Sequence, residues 1–324
     1  MRRRELIAVI LGAGALRPLL STAQTRVARV GWLPFTDPRG TGFWDVFVGQ
    51  LRDSGWTEGK NLEFQIRAVG GHVERYPELA AELVALKPDV IIASGSAGTQ
   101  AIREKTSTLP IIMLGADDPV RLGFVASLAR PGGNITGVTN QAADTYEKAF
   151  ELLLDLRPTI KRIALFYAPA FAASALCKTI LEAAAPRHDL VLEPLALNTP
   201  AELDAALATI AQSRPDALIV HGTPISNPHA KDIAAFAVDH RLPTFSWDAT
   251  PTYNGLLMSY GPDPEEISRR TAVLVDKILR GTKASDIPVE QPTKFKLRLN
   301  QRTAEAIGVE FPTSLRARAD EVIE

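Results

Sequence analysis

Cysteine is almost missing from this chain: Cys177 is the single one among 324 residues. One thiol closes no intramolecular disulfide and supplies no multi-cysteine metal site. It lies in "SALCKTILEAA", a helical pattern, which assigns it to packing. No cysteine follows the apolar run near the start, so lipid attachment at that point is excluded. Histidine is also scarce. His72, His188, His221, His229 and His240 form no H-x-H or H-E-x-x-H arrangement, so no metal is expected. Charge of one sign is lacking too: 36 basic and 37 acidic side chains leave a formal −1. Without a basic excess the chain gives no support to nucleic-acid binding. No segment approaches the roughly 20 consecutive apolar residues of a spanning helix.

What is present begins with "MRRREL", a basic start, followed by the apolar run "LIAVILGAGAL". Ser21 and Ala23 are small residues at −3 and −1 of a candidate cut, so residues 1–23 are expected to be an export signal. Arg3 and Arg4 also match a twin-arginine pattern, leaving the Sec and twin-arginine routes both open. Removing a net +3 with that segment leaves a mature chain of −4, expected free in the periplasm.

The rest alternates near-continuous apolar strands with amphipathic helices. "RVARVGWL", "NLEFQIRAV", "PDVIIAS" and "LPIIMLG" read as strands, and helices such as "GFWDVFVGQLRDSG" separate them. Parallel sheet covered on both faces has this signature, which gives a doubly wound α/β class. The pattern then recurs. "KPDVIIASGS" (87–96) matches "RPDALIVHGT" (214–223) in character position for position, and each precedes a helix and a Leu-Pro strand, Leu109-Pro110 and Leu242-Pro243. Two copies make a duplicated domain, not a solenoid.

In open parallel sheets ligands bind beyond the carboxyl ends of the strands. Two such domains facing one another place their strand-end loops around a shared cleft. From the first repeat this selects Leu33, Pro34 and Phe35, then Ser94, Gly95 and Ser96, then Asp117. From the second it selects Tyr167, then His221 and Thr223, then Trp247 and Asp248. Small polar groups mixed with aromatics suit a small-molecule pocket.

Sharper chemistries fail. Ser94-Gly95-Ser96-Ala97-Gly98 lacks the first glycine of a nucleophile elbow, departs from G-x-G-x-x-G and has no P-loop lysine. What survives is a pair of hydroxyls and the free N–H groups of the next helix, which suit a carboxylate; plain N-capping by Ser96 is the alternative. Asp118-Pro119 resembles an N-cap and first helical position, predicting a helix over "VRLGFVASLA". Asp117, one residue earlier, is freer to meet an ammonium group or to be a solvated loop carboxylate. His221 at a strand end is either a ligand donor or a structural one. Trp32, Tyr167, Trp247 and Tyr260 sit at strand ends or just beyond, for stacking on a ligand or for edge packing; Trp44, inside an apolar helix, is assigned to packing. In "ARPGGNITGVTN" the glycines precede the strand and form a turn, while Thr139 and Asn140 emerge polar at the cleft.

The segments "DDPVRLGFVASLARPGGNITGVT", "GLLMSYGPD", "IPVEQPTKFKLRLNQRTAEAIGV" and "RADEV", with the "RRREL" start, resemble the solute-binding proteins of a bacterial ABC-transporter family that includes relatives of tryptophan- and phenylalanine-binding proteins. The resemblance runs from the signal to the C-terminus. It implies a type I periplasmic-binding-protein (Venus-flytrap) fold, two doubly wound parallel-sheet domains joined by a multi-strand hinge. It implies a small solute, a membrane ABC permease as partner, no cofactor and no reaction, with an amino acid, an aromatic one foremost, or an aromatic carboxylate as the leading solute. Crossovers are then expected near 137–141, 259–262 and 283–293. The lobes would comprise 26–138 with about 262–285, and 139–261 with part of 286–324, in a monomer. The lobe that takes the last strand, "KFKLRLN", is left open. The alternative reading is a two-domain α/β enzyme acting on a nucleotide-sugar, a transferase or epimerase; a third is a sensor or repressor core of the same fold.

Overall fold

The computed structural model describes residues 26–140 and 145–324; the expected export signal lies outside them. Five parallel strands form the first sheet: β1 (Ala28–Leu33), β2 (Leu62–Ile66), β3 (Val90–Ser94), β4 (Ile111–Ala116) and β5 (Ile135–Thr139), in the order β2-β1-β3-β4-β5. The second sheet holds β6 (Arg162–Tyr167), β7 (Val191–Ala196), β8 (Ala217–Val220), β9 (Thr244–Ser246) and β10 (Met258–Pro262), then β11 (Phe295–Asn300) and β12 (Glu321–Ile323). Its order is β12-β11-β10-β9-β8-β6-β7. Strands β7-β6-β8-β9-β10 reproduce the order of the first sheet, so the duplication is visible in the topology. Only β11 and β12 depart, with β11 antiparallel to β10.

The repeat also explains one local device. Lys87 and Arg214 occupy the same left-handed position before Pro-Asp, each with φ of 49°. The aspartates that follow anchor the start of a neighbouring strand: Asp89 accepts from Arg29 N at 2.8 Å, and Asp216 from Arg162 N at 2.8 Å. A long-range hydrogen bond from a strand-start N–H to an aspartate carboxylate thus sets the strand register at each domain's base.

The central strands of each sheet are buried on both faces, which is why β3 and β8 carry no polar alternation, whereas the edge strand β2 (LEFQI) does alternate. On the first, Val30, Trp32, Ile92 and Ile112 pack under α1 (Gly42–Asp53) and α9 (Pro264–Leu279), while Leu33, Ile91, Ala93 and Met113 pack under α2 (Tyr76–Ala85) and α3 (Gly95–Arg103). The second sheet is covered by α4 (Lys148–Leu156), α5 (Ala172–Ala184), α10 (Gln301–Ile307) and α11 (Thr313–Arg318) on one side, and by α6 (Leu203–Ser213) and α7 (Ala230–Asp239) on the other. The short α8 (Ala249–Tyr253) follows β9.

The chain passes between the sheets three times. It leaves β5 for the second sheet, and after β10 it returns to α9, which is fastened to α1 by Ser268 Oγ to Phe43 O at 2.7 Å and Trp56 Nε1 to Asp276 Oδ1 at 2.7 Å. Residues 287–290 then run along β5, with Glu290 N donating to Gly137 O and Thr139 N to Glu290 O. Finally β11 joins the second sheet, which answers the question the sequence leaves open. One expectation is corrected: residues 120–129 form no helix. Asp118 Oδ1 accepts from Arg121 N as in a capping turn, but Gly123, at φ 69°, ends it after a single turn.

Gly137 pairs with Met113 at φ 146°, and a Cβ there would overlap the Met113 carbonyl. Gly137→Ala is therefore expected to cost roughly 2–4 kcal/mol of stability by urea denaturation. An unchanged midpoint would refute the close packing of β4 on β5.

Candidate functional site

At the carboxyl ends of the two sets of strands lies a shared cavity with a main space of about 70 Å³ and a deeper one of about 50 Å³. Equivalent positions of the two repeats build it. Phe35 follows β1 and Phe171 follows β6; Gly95 follows β3, and Gly222 follows His221 at the end of β8; Asp117 follows β4 and Asp248 follows β9. Such pairing is what a duplicated sheet produces when its two copies face one another.

Asp117 is placed by a break in the ladder. The β4–β5 register slips between Leu114 and Ala116, and Gly115 takes φ of 69°, so the chain turns its next side chain into the cavity. Asn140 holds that corner: its Nδ2 donates to Gly115 O at 2.8 Å and lies 3.4 Å from Asp117 Oδ1. Ser96 Oγ accepts from Asp117 N at 3.0 Å, so its hydroxyl supports the carboxylate loop, not the helix it sits on. Opposite, Asp248 stands at the N-cap position of α8 without capping it, which leaves its carboxylate turned toward the cavity. A Cβ on Gly222 would overlap Asp248 Oδ2, so a side chain there would displace that carboxylate.

An aromatic floor lies beneath. Tyr146 and Trp247 meet edge to face at 5.1 Å, His221 stands 5.9 Å from each, and Trp247 Nε1 donates to Thr145 O at 3.1 Å. Tyr146 Oη is 3.4 Å from His221 Nε2. The tip of the Phe35 ring rests against Gly95, leaving no room for a side chain there.

The electrostatics are one-sided. Neither the main nor the deeper space is lined by lysine or arginine, and among the described residues neither Asp117 nor Asp248 has an ion-pair partner. Burial, then the charge of Asp248, pushes the Asp117 carboxyl up to about 7, against the hydrogen bond from Asn140. Asp248 is likewise raised by burial, opposed by Asn227. Burial lowers His221 to about 4, so the imidazole is neutral at physiological pH, which excludes it as a counter-ion.

Of the residues selected from the sequence, Phe35, Gly95, Ser96, Asp117, Asn140, His221, Thr223, Trp247 and Asp248 line the cavity. The others are placed elsewhere. Leu33 is wholly buried in the core under α2, and Pro34 is buried with its carbonyl accepting from Val69 N. Ser94 is buried with its oxygen accepting from Trp32 Nε1 at 3.0 Å, which also removes Trp32 from any stacking role. Thr139 is buried in the ladder beside Glu290. Tyr167 carries the Lys178 ammonium over its ring at 5.9 Å, and Tyr260 stacks on Phe295 at 5.7 Å. The sequence gives no signal for Tyr146, and it places within cleft-side loops, without singling them out, Phe171 and Gly222. The last was signalled by the alignment of "ASGS" with "VHGT", where Gly222 stands opposite Gly95.

A family model described as ABC transporter substrate binding protein matches residues 43–323. This chain belongs to that family. The resemblance noted in the sequence motifs is thereby borne out, and members of the family bind a small solute and present it to a membrane permease. A tyrosine-binding protein of Clostridioides difficile is 25% identical over 270 residues, 82% of this chain and 76% of that protein. Among solved structures, a conserved domain protein from Vibrio cholerae superposes with a TM-score of 0.84 at 25% identity, covering 92% of this chain and all of that one. The ABC domain of a Streptococcus pneumonia protein in complex with L-Trp gives 0.78 at 24% identity, covering 91% and 99%. The two-sheet architecture of this binding protein is thus the type I periplasmic-binding-protein fold.

A carboxyl whose folded pKa lies above its unfolded value binds extra protons when folded, so the empty protein gains stability as pH falls from about 7 toward 4. His221 opposes this, since it must stay neutral while the unfolded chain protonates below about 6.5. Comparing Asp117→Asn with wild type cancels the His221 contribution. The variant is expected to be more stable at pH 8 by on the order of 2 kcal/mol, discounted for cavity water, with the difference vanishing near pH 4. A difference independent of pH in chemical denaturation would refute the raised Asp117 carboxyl.

Proposed function

We propose that this protein is the extracytoplasmic receptor of an ABC importer for an amino acid, with an aromatic one favoured, gripped between the lobes by hinge closure. The observation that carries the reading is the pair of cavity carboxylates, Asp117 and Asp248, that have no cation of the protein's own. Two buried negative charges sharing a small space repel, and a ligand ammonium between them turns the repulsion into two charge-assisted hydrogen bonds. The ligand's carboxylate then has a place on the other side. Helices α3 and α5 begin at the cavity without a side-chain cap, and Gly95, Ser96 and Ala97 face Ala173 and Ser174 there. Uncapped N–H groups at a helix start favour an anion.

Phe35 and Phe171 wall the space, with Tyr146 and Trp247 deeper. A relative named for tyrosine and a related structure holding L-Trp support an aromatic side chain. The bodies that close are residues 26–138 with 262–285, and 139–261 with most of 286–324, in a monomer delivered to the periplasm. Contact between them supports closure around the site: Val73 packs in the cores of both, and Gly71 lies against Pro228. A ligand shifts such an equilibrium by binding the closed form more tightly.

In thermal shift and calorimetry, tyrosine, tryptophan or phenylalanine is expected to raise the midpoint of the wild type. Asp117→Asn and Asp248→Asn are each expected to weaken that binding about 100-fold, and Ser96→Ala and Trp247→Ala about tenfold. No shift with any amino acid, or full affinity in both aspartate variants, would reject the reading.

A further inference from the structure

The polar cavity has room for a head group and little more. Beside it, and sharing Ser96, Ala97 and Phe171 with it, lies a space of about 310 Å³, more than four times larger. The first lobe supplies Val73, Tyr76, Leu122 and Phe124 to its wall. The second lobe supplies residues 170–172 at the start of α5. Gln100 and Glu104 stand at the rim, hydrogen-bonded to one another at 2.7 Å, and among the described residues no lysine or arginine lines it.

We infer that this space is the side-chain subsite, and that it selects solutes whose ammonium-bearing head is extended by a large, uncharged apolar group. The inference rests on the head-group reading above and deepens it. A group leaving the Asp117–Asp248 cavity past Phe171 enters a room walled mainly by apolar and aromatic side chains, Val73, Tyr76, Leu122 and Phe124 among them. Burial there removes its surface from water without asking for a hydrogen bond, so affinity rises with apolar size. An acidic side chain would meet Glu104 and find no cation. Because the walls belong to both lobes, the apolar group is enclosed only when the lobes are together. Size selection and closure are therefore the same event: a small head fills the polar cavity but leaves the larger room empty.

Calorimetry with alanine, phenylalanine and tryptophan holds the head constant and varies the extension. Wild type is expected to bind tryptophan at least about 30-fold more tightly than alanine, as expected for burying an aromatic side chain. Ala172→Trp, at an exposed first position of α5, fills the room from the second lobe. It should weaken tryptophan at least tenfold while alanine stays within twofold. Gln100→Trp, exposed on α3 at the opposite wall, is the second variant should the first fail to fold. Equal wild-type affinity for alanine and tryptophan, or equal losses for both in the variants, would overturn the subsite. If no amino acid binds at all, the head-group reading fails and indole alone decides the subsite by ligand-observed NMR. Indole contact seen in wild type and lost in the variants supports it, and none in wild type, or the same in all three, overturns it.

Discussion

Two carboxylates that face one cavity with no cation between them set the terms for everything around them. Asp117 and Asp248 arrive from different sheets, so their mutual repulsion acts across the cleft, not within a lobe. Each needs a dedicated local arrangement. Gly115 bends β4 and Asn140 braces the bend for one; Gly222 gives up its side chain and Asn227 braces the other. Burial, and for Asp117 the charge of Asp248, raises both carboxyls, a cost that the proposed ammonium head would relieve. Neutral His221, held uncharged by burial beside them, provides no relief.

The duplication explains why the charges come as a pair. Sheets of identical strand order place equivalent loops in apposition, so a residue type useful after β4 recurs after β9, and an aromatic after β1 recurs after β6. The copies have diverged at the loops after β3 and β8. In the first, β3 runs straight into α3 at Gly95, presenting bare N–H groups. In the second, the loop after β8 folds on itself through Thr223 and Ser226, whose hydroxyls and backbone N–H groups satisfy one another. The first copy thus leaves N–H groups free after β3, where the loop after β8 satisfies its own.

Much of this was legible in the sequence. Continuous apolar strands, the repeated Lys/Arg-Pro-Asp start and the rule that ligands lie beyond parallel strand ends led to the class, the repeat and Asp117. The misplacements have a common physical origin. At a strand end the last residues alternate between core and cleft, and pattern alone does not say where the alternation stops. Leu33 and Ser94 therefore look like cleft residues, although one is core and the other meets Trp32. Tyr167 meets Lys178 of the covering helix α5, and Tyr260 stacks on Phe295 of the neighbouring β11. The helix expected after Asp118 had a correct start signal, and Gly123 overrode it. Tyr146 lay beyond reach, since it comes to His221 and Trp247 only through the fold.

The route of the chain has a consequence for where this protein can be divided. Helix α9 covers the first sheet but is made after β10 of the second, and residues 287–290 return to β5 before β11 leaves again. No single cut therefore yields a complete lobe. A piece ending at Thr139 keeps α1 but lacks the α9 part of the cover over Val30, Trp32, Ile92 and Ile112, and the remainder carries an amphipathic helix with nothing to cover. The two halves of the ancestral duplication have become hostages to one another's folding. Exchange of one sheet with a relative by a single crossover would therefore leave both products with incomplete cores.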